Sequence, residues 1–216
     1  MSRKVVRYYR SVKYALCNFS KRQLDKNDGI TYMRTFISIN LTDDIHQSIS
    51  KMQNRLDSDA IGIRWTRAEN CHLTLKFIGA IQEEIIEPLS NALAKTSLTI
   101  QPFTAELKGI GQFPSRNPLS VLWIGVDQGN QEMRDLEQSI RNPILESGIK
   151  FDKKPFSPHL TIGRGRKGQK AQLNHLDSYA NLSVGTIEVD SFYLMKSVLQ
   201  QSGPVYTVVK RFPLGA

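Results

Sequence analysis

The sequence predicts an α+β protein, and three observations point to it. Segments in which apolar and polar residues alternate every second position are interspersed with segments of helical period. The two kinds follow one another as strand–helix–strand on each side of roughly residue 110. One tetrapeptide occurs once on each side: His72-Leu73-Thr74-Leu75 and His159-Leu160-Thr161-Ile162. This recurrence reads as a weak internal duplication into two lobes.

Taken in order, residues 34–40 alternate as a strand, and Thr42 with Asp43 and Asp44 forms a cap signal for a helix to about Leu56. Residues 62–65 read as a short strand and 71–78 as the first motif strand. Residues 83–95 have helical period. Residues 103–108 and 120–126 read as strands around a turn-rich stretch at 109–118. A helix is expected over 131–146, ending before Gly148. The second motif strand is expected at 156–162, leading into a basic, glycine-rich loop at 163–169. A short helix is expected near 173–179, and strands at 186–194 and 205–212 close the chain.

The chain has 216 residues, 29 Lys/Arg against 20 Asp/Glu, and a formal charge of +9, which favours a polyanionic partner. That charge is unevenly placed. Residues 1–32 hold eight basic residues against Asp25 and Asp28, whereas the remainder is only mildly basic. This first stretch, in which Val5, Val6, Tyr9, Val12, Leu16 and Phe19 recur at helical spacing, is read as a basic extension, poorly ordered or helical. A transit peptide, an RNA-contacting arm and a misassigned start stay open for it. The domain proper is placed at 33–216. No apolar run is long enough to span a bilayer. Cys17 and Cys71 form no CxxC pair, so a reducing cytoplasm is the expected setting, and Cys71 is expected as a buried inert thiol.

In a strand, residues i and i+2 share a face, so His and Thr project together in each motif while Leu73, Leu75, Leu160 and Ile162 point to the core. The chain has only four histidines, and two lie in these copies. Two imidazoles supply an acid and a base near neutral pH, and two hydroxyls can stabilise charge on non-bridging oxygens. That inventory suits in-line attack on a phosphate diester without a metal. There is no HExxH, CxxC or dense acidic cluster, and no cofactor is expected. His46 and His175 lack such context and are read as surface histidines. Each motif alone would read as an ordinary amphipathic strand; their near-identity favours a shared site.

These stretches resemble the two-histidine (2H) phosphoesterases with paired His-x-Thr-x motifs, and more closely the bacterial RNA 2′,3′-cyclic phosphodiesterases, also called 2′-5′ RNA ligases. The resemblance runs over about residues 33–213. It rests on Met33-Arg-Thr-Phe-Ile-Ser-Ile-Asn40, Ile63-Arg-Trp-Thr66, Asn70 through Gly79, Gly109 through Pro114, Val121 through Val126, Pro155 through Arg164 and the tail from Leu194. It implies a bilobal pseudo-two-fold fold, with an antiparallel sheet in each lobe, helices outside and a central cleft. It further implies His72 as proton donor, His159 as proton acceptor, and Thr74 and Thr161 as phosphate-holding hydroxyls. Arg164 sits where the family often has Arg, and a guanidinium there could hold phosphate oxygens bidentately. Lys76 shares the alternation face of His72, but a surface lysine is favoured. Phe156 is favoured as core over a base-stacking role. The loop at 163–170 is read either as an RNA contact or as a solvated turn.

The expected substrate is an RNA end bearing a 2′,3′-cyclic phosphate, opened to a 2′-phosphate, with 2′–5′ joining at the same site. The protein is expected as a monomer. A small cyclic nucleotide such as ADP-ribose 1″,2″-cyclic phosphate, or a non-catalytic RNA-binding role, are the alternatives.

Overall fold

A computed structural model describes residues 31–151 and 155–215. The expected basic extension therefore lies outside the described residues, apart from its last two positions.

Helix α1 (Asp43–Leu56) opens on Thr42, whose backbone is extended, although its hydroxyl makes no capping bond. Its buried stripe is Ile45, Ile49, Met52, Gln53 and Leu56. Helix α2 (Ile86–Ser97) buries Leu89 and Leu93, and α3 (Asn130–Glu146) buries Met133, Leu136, Ile140 and Ile144. These stripes follow the helical period and cover one side of a curled sheet.

The strands are β1 (Tyr32–Ile39), β2 (Ala60–Ile61), β3 (Ile63–Trp65), β4 (Leu73–Gln82), β5 (Phe103–Phe113) and β6 (Val121–Val126). They continue with β7 (His159–Gly165), β8 (Gln172–Leu173), β9 (Ser183–Val189), β10 (Ser191–Gln200) and β11 (Gly203–Pro213). Strands β2 and β8 form a separate two-stranded pair. The large sheet runs β11-β10-β1-β4-β7-β6-β5-β9, with β3 also on β7, and its described pairings are antiparallel. Along that order four strands lie on each side of the β4–β7 junction, and β3 is the ninth described strand, on the edge of β7. The two expected sheets join there through one residue pair, Leu73 opposite Leu160.

The lobes are not the two halves of the chain. Strand β5 crosses to pair with β6, and β10 crosses back to pair with β1. The expected strand at 186–194 is accordingly two strands in opposite halves of the sheet, β9 at one edge and β10 between β11 and β1, broken at Asp190. There Asp190 accepts hydrogen bonds from Ser191 Oγ (2.7 Å) and Arg211 Nη2 (3.1 Å), and its carbonyl accepts from Leu214 N–H (2.8 Å).

Other boundaries also move. The glycines at 109–111 belong to β5 rather than to a turn. Gly109 takes φ +78 at a register shift, and a Cβ on Gly111 would run into the Trp123 indole. Residues 163–165, expected as loop, continue β7, while 156–158 precede it. The expected short helix at 173–179 shrinks to a 3₁₀ turn at Leu176–Tyr179, with β8 before it.

Candidate active site

Each motif histidine stands at the mouth of its strand, His72 just before β4 and His159 as the first residue of β7. Because Leu73 pairs with Leu160, the two motifs meet where the lobes join. The imidazoles are held alike. His72 Nδ1 lies 2.9 Å from the Asn70 carbonyl, and His159 Nδ1 lies 2.7 Å from the Ser157 carbonyl. A carbonyl only accepts, so Nδ1 carries the proton in both rings and each neutral Nε2 keeps a lone pair.

Aromatic rings wall both sides. Phe36 stacks on His72 at 4.8 Å between centroids, and Tyr206 meets it edge-on at 5.1 Å. Phe113 and Trp123 stand edge-on to His159 at 5.3 and 6.4 Å. Burial pushes the His72 imidazole down to about 4; the bond to Asn70 opposes this and the Arg164 charge adds to it. His159 is lowered by burial in the same way, opposed by Ser157 and assisted by Arg164. In the free protein both histidines are therefore neutral at pH 7.

The register explains the rest of the site. Between the pairs Ser38–Thr74 and Ile37–Lys76, β4 carries one extra residue, Leu75. Between Trp123–Thr161 and Leu122–Gly163, β7 carries one extra residue, Ile162. A bulge thus follows the threonine in both copies, and each reverses the alternation beyond it. In β7 it turns Arg164 onto the face of His159 and Thr161, opposite Val121. Burial is the largest effect on each of His72, His159 and Tyr206, and the positive charge of Arg164 acts on all three as well, lowering each.

In β4 the same device removes Lys76 from the cleft, correcting its reading as a rim or surface residue. Lys76 is 8% exposed, its Nζ lies 2.7 Å from Oε1 of Glu137 in α3, and it sits over the Phe151 ring. Phe77, 59% exposed, takes the place in the first copy that Arg164 holds in the second. The two halves match at His and Thr and differ there.

Both threonines are half-buried, and no described residue hydrogen-bonds either hydroxyl. The bulge carbonyl of Ile162 accepts from Thr66 N–H (2.9 Å) and from Gln53 Nε2 of α1 (3.0 Å). His46, expected at the surface, is half-buried. Its Nε2 lies 3.3 Å from the Cys71 carbonyl, next to His72. His175 is exposed. Cys71 is buried, with its thiol pushed up to about 12 by burial and then by Glu69, which fits an inert role. Phe156 packs against the core. In the basic loop, Arg166 is tied to the Gly62 and Ile63 carbonyls, while Lys167 and Lys170 are exposed.

The residues missed in the sequence are Tyr206, Phe36 and Trp123. They lie within expected strands, but their nearness to the histidines depends on strand order. Among the described residues, no three His, Cys, Asp or Glu side chains gather as a metal site, and no helix is long and apolar enough to cross a membrane.

The LigT like Phosphoesterase family matches this chain twice, over residues 39–123 and 124–206, so each match holds one motif. An RNA 2′,3′-cyclic phosphodiesterase of Methanocaldococcus jannaschii is 32% identical over 182 residues, 83% of this chain and 100% of that protein. One of the same name from Aquifex aeolicus is 33% identical over 186 residues, 85% and 98%. Among solved structures, TT0787 of Thermus thermophilus superposes with a TM-score of 0.72 at 26% identity, over 84% of this chain and 98% of that one. E. coli LigT complexed with 3′-AMP gives 0.70 at 24%, over 86% and 100%, a likeness of fold. The doubled family match, the paired motifs and the sheet that joins them place this chain in the LigT-like phosphoesterase family of two-histidine enzymes, as a cyclic phosphodiesterase.

Proposed function

We propose that this protein opens the 2′,3′-cyclic phosphate at an RNA end to a 2′-phosphate, by metal-independent acid–base catalysis between His72 and His159. The observation that carries the reading is the matched pair of imidazoles, each tied through Nδ1 and so left with Nε2 for proton transfer. The names of the relatives at 32 and 33% identity support the substrate.

His159 Nε2 takes a proton from water as its oxygen bonds to phosphorus. His72, protonated at Nε2, gives its proton to the departing 3′ oxygen. The Thr74 and Thr161 hydroxyls and the Arg164 guanidinium bind the non-bridging oxygens, where negative charge gathers. One histidine must therefore gain a proton that burial denies it in the free protein, and the anionic phosphate supplies the compensating charge. A 5′-hydroxyl in place of water would form a 2′–5′ bond by the same steps. The exposed Phe77 ring offers an adjoining flat apolar face to a base. We place the protein in the cytoplasm as a monomer.

The test is hydrolysis in EDTA of a short oligoribonucleotide ending in a 2′,3′-cyclic phosphate, beside ADP-ribose 1″,2″-cyclic phosphate. Preference for the RNA end with release of a 2′-phosphate is expected. Preference for the ADP-ribose compound would transfer the site to small cyclic nucleotides, and no turnover of either would leave an RNA-binding role.

A further inference from the structure

One basic residue on the cleft face is absent from the chemistry above. Arg34 and Phe36 lie two apart on β1 and share a face, since Thr35 between them is 2% exposed and turned to the core. Phe36 is the residue that stacks on His72 and also meets Tyr206, at 5.2 Å. Arg34 therefore stands about 7 Å along the strand from the aromatic contact of the catalytic ring, on the scale of one nucleotide of extended backbone.

Arg34 is exposed, and no described residue hydrogen-bonds or ion-pairs with it. It faces Ala80 across the ladder, where a side chain is too short to cover it. The register turns Tyr32, Phe77, Ser197, Tyr206 and Val208 to the same side, and none of them is acidic. The Tyr206 phenol, raised chiefly by burial, feels the opposing positive charge of both Arg164 and Arg34.

We propose that Arg34 forms a second anion subsite, which holds the phosphodiester one nucleotide upstream of the cyclic phosphate. This rests on the phosphodiesterase reading and adds substrate length to it. The chain of the substrate runs from the histidines over Tyr206 along β1. Arg34 is a specificity-determining residue and takes no part in opening the ring, so a mononucleotide, which has no upstream phosphate, gains nothing from it.

The experiment compares adenosine 2′,3′-cyclic phosphate with the dinucleotide ApA ending in a 2′,3′-cyclic phosphate, using wild type, Arg34→Gln and Arg34→Lys. Arg34→Gln is expected to lower kcat/KM on the dinucleotide roughly tenfold, as loss of one charge-assisted hydrogen bond at an exposed site would. The mononucleotide should change less than about twofold, the scale of losing no such contact. Arg34→Lys should recover part of the loss, and Arg34→Gln should reduce the salt slope for the dinucleotide by about 0.7. Equal losses on both substrates, or none on either, would overturn the subsite. Titration with the corresponding 2′-phosphate products reads the same ratio without turnover. A wild type inert on both cyclic phosphates would refute the phosphodiesterase reading, while that affinity ratio would still decide the subsite.

Discussion

Leu73 pairs with Leu160 at the one point where β4 and β7 meet among the described residues, and each directly follows its motif histidine. Two short segments far apart in the chain are thereby fixed against each other through their backbones. The histidine positions depend on this junction and on the carbonyls of Asn70 and Ser157 rather than on side-chain packing alone. Residues that reset the register should therefore matter as much as those that line the cleft.

The threonine hydroxyls are the cleanest case. Thr74→Val and Thr161→Val keep shape and remove one donor each, so the fold should survive. We expect kcat to fall about tenfold to a few hundredfold for each, given the size of single-donor effects, with smaller changes in KM. Steady-state kinetics beside circular dichroism checks this; unchanged kcat in both variants would make the hydroxyls structural.

The Lys76–Glu137 pair is fully internal, and Glu137 is also bound by Arg141 through Nε and Nη2. Glu137→Ala leaves an uncompensated buried ammonium and should cost about 3–5 kcal/mol. Lys76→Met should cost much less, because Glu137 keeps Arg141. Urea denaturation of the two variants gives the order; equal losses would mean that packing, not charge, sets the cost.

Proton linkage makes two further predictions. His72 has a folded pKa of about 4, below its unfolded value of 6.5, so folding excludes a proton. Its contribution to stability is complete above pH 6.5 and is lost as pH falls from there toward 4. His159 acts in the same direction. Thermal denaturation between pH 7 and 4 should show less acid destabilisation in His72→Asn than in wild type; parallel curves would contradict the depressed pKa.

The same shift applies to turnover. The kcat/KM profile reports the free protein and should reach its maximum on the acid side of pH 6.5. The kcat profile reports the complex, where bound phosphate favours imidazolium, and should lie at higher pH. Coincident profiles would mean that substrate binding leaves the imidazoles unperturbed.

The sequence showed most strands and all three helices, because alternation and helical period report directly on which face is buried. The paired histidines were legible for the same reason. What it concealed were the bulges. Strict alternation puts Lys76 with His72 and Arg164 opposite His159, and one extra residue at Leu75 and at Ile162 reverses both assignments. Nothing local marks either residue, since Leu and Ile fit a regular strand equally well. The break at Asp190 was hidden likewise, because β9 and β10 each alternate and only strand order separates them. Tyr206 became visible as a neighbour of His72 only once β11 was placed two strands from β1.

The domain boundary gives another prediction. Met33 lies one residue inside β1, and a chain beginning there loses the Tyr32–Gln82 pairing and the Thr31 carbonyl that accepts from Glu83 N–H, all at the exposed strand end. We expect that truncated chain to fold and to hydrolyse a cyclic-phosphate dinucleotide normally. If the extension is an RNA arm, its removal should weaken binding of longer RNA and flatten the salt dependence. Failure to fold would put the boundary upstream.

The central claim is that His72 and His159 act as acid and base. Its most direct measurement is the turnover of a cyclic-phosphate oligoribonucleotide by His72→Ala, His159→Ala and the double variant, in EDTA, with folding verified for each. Each single change should lower kcat by about 10²–10⁴, and the double variant should fall at least as far. A folded double variant that retained wild-type turnover would contradict it.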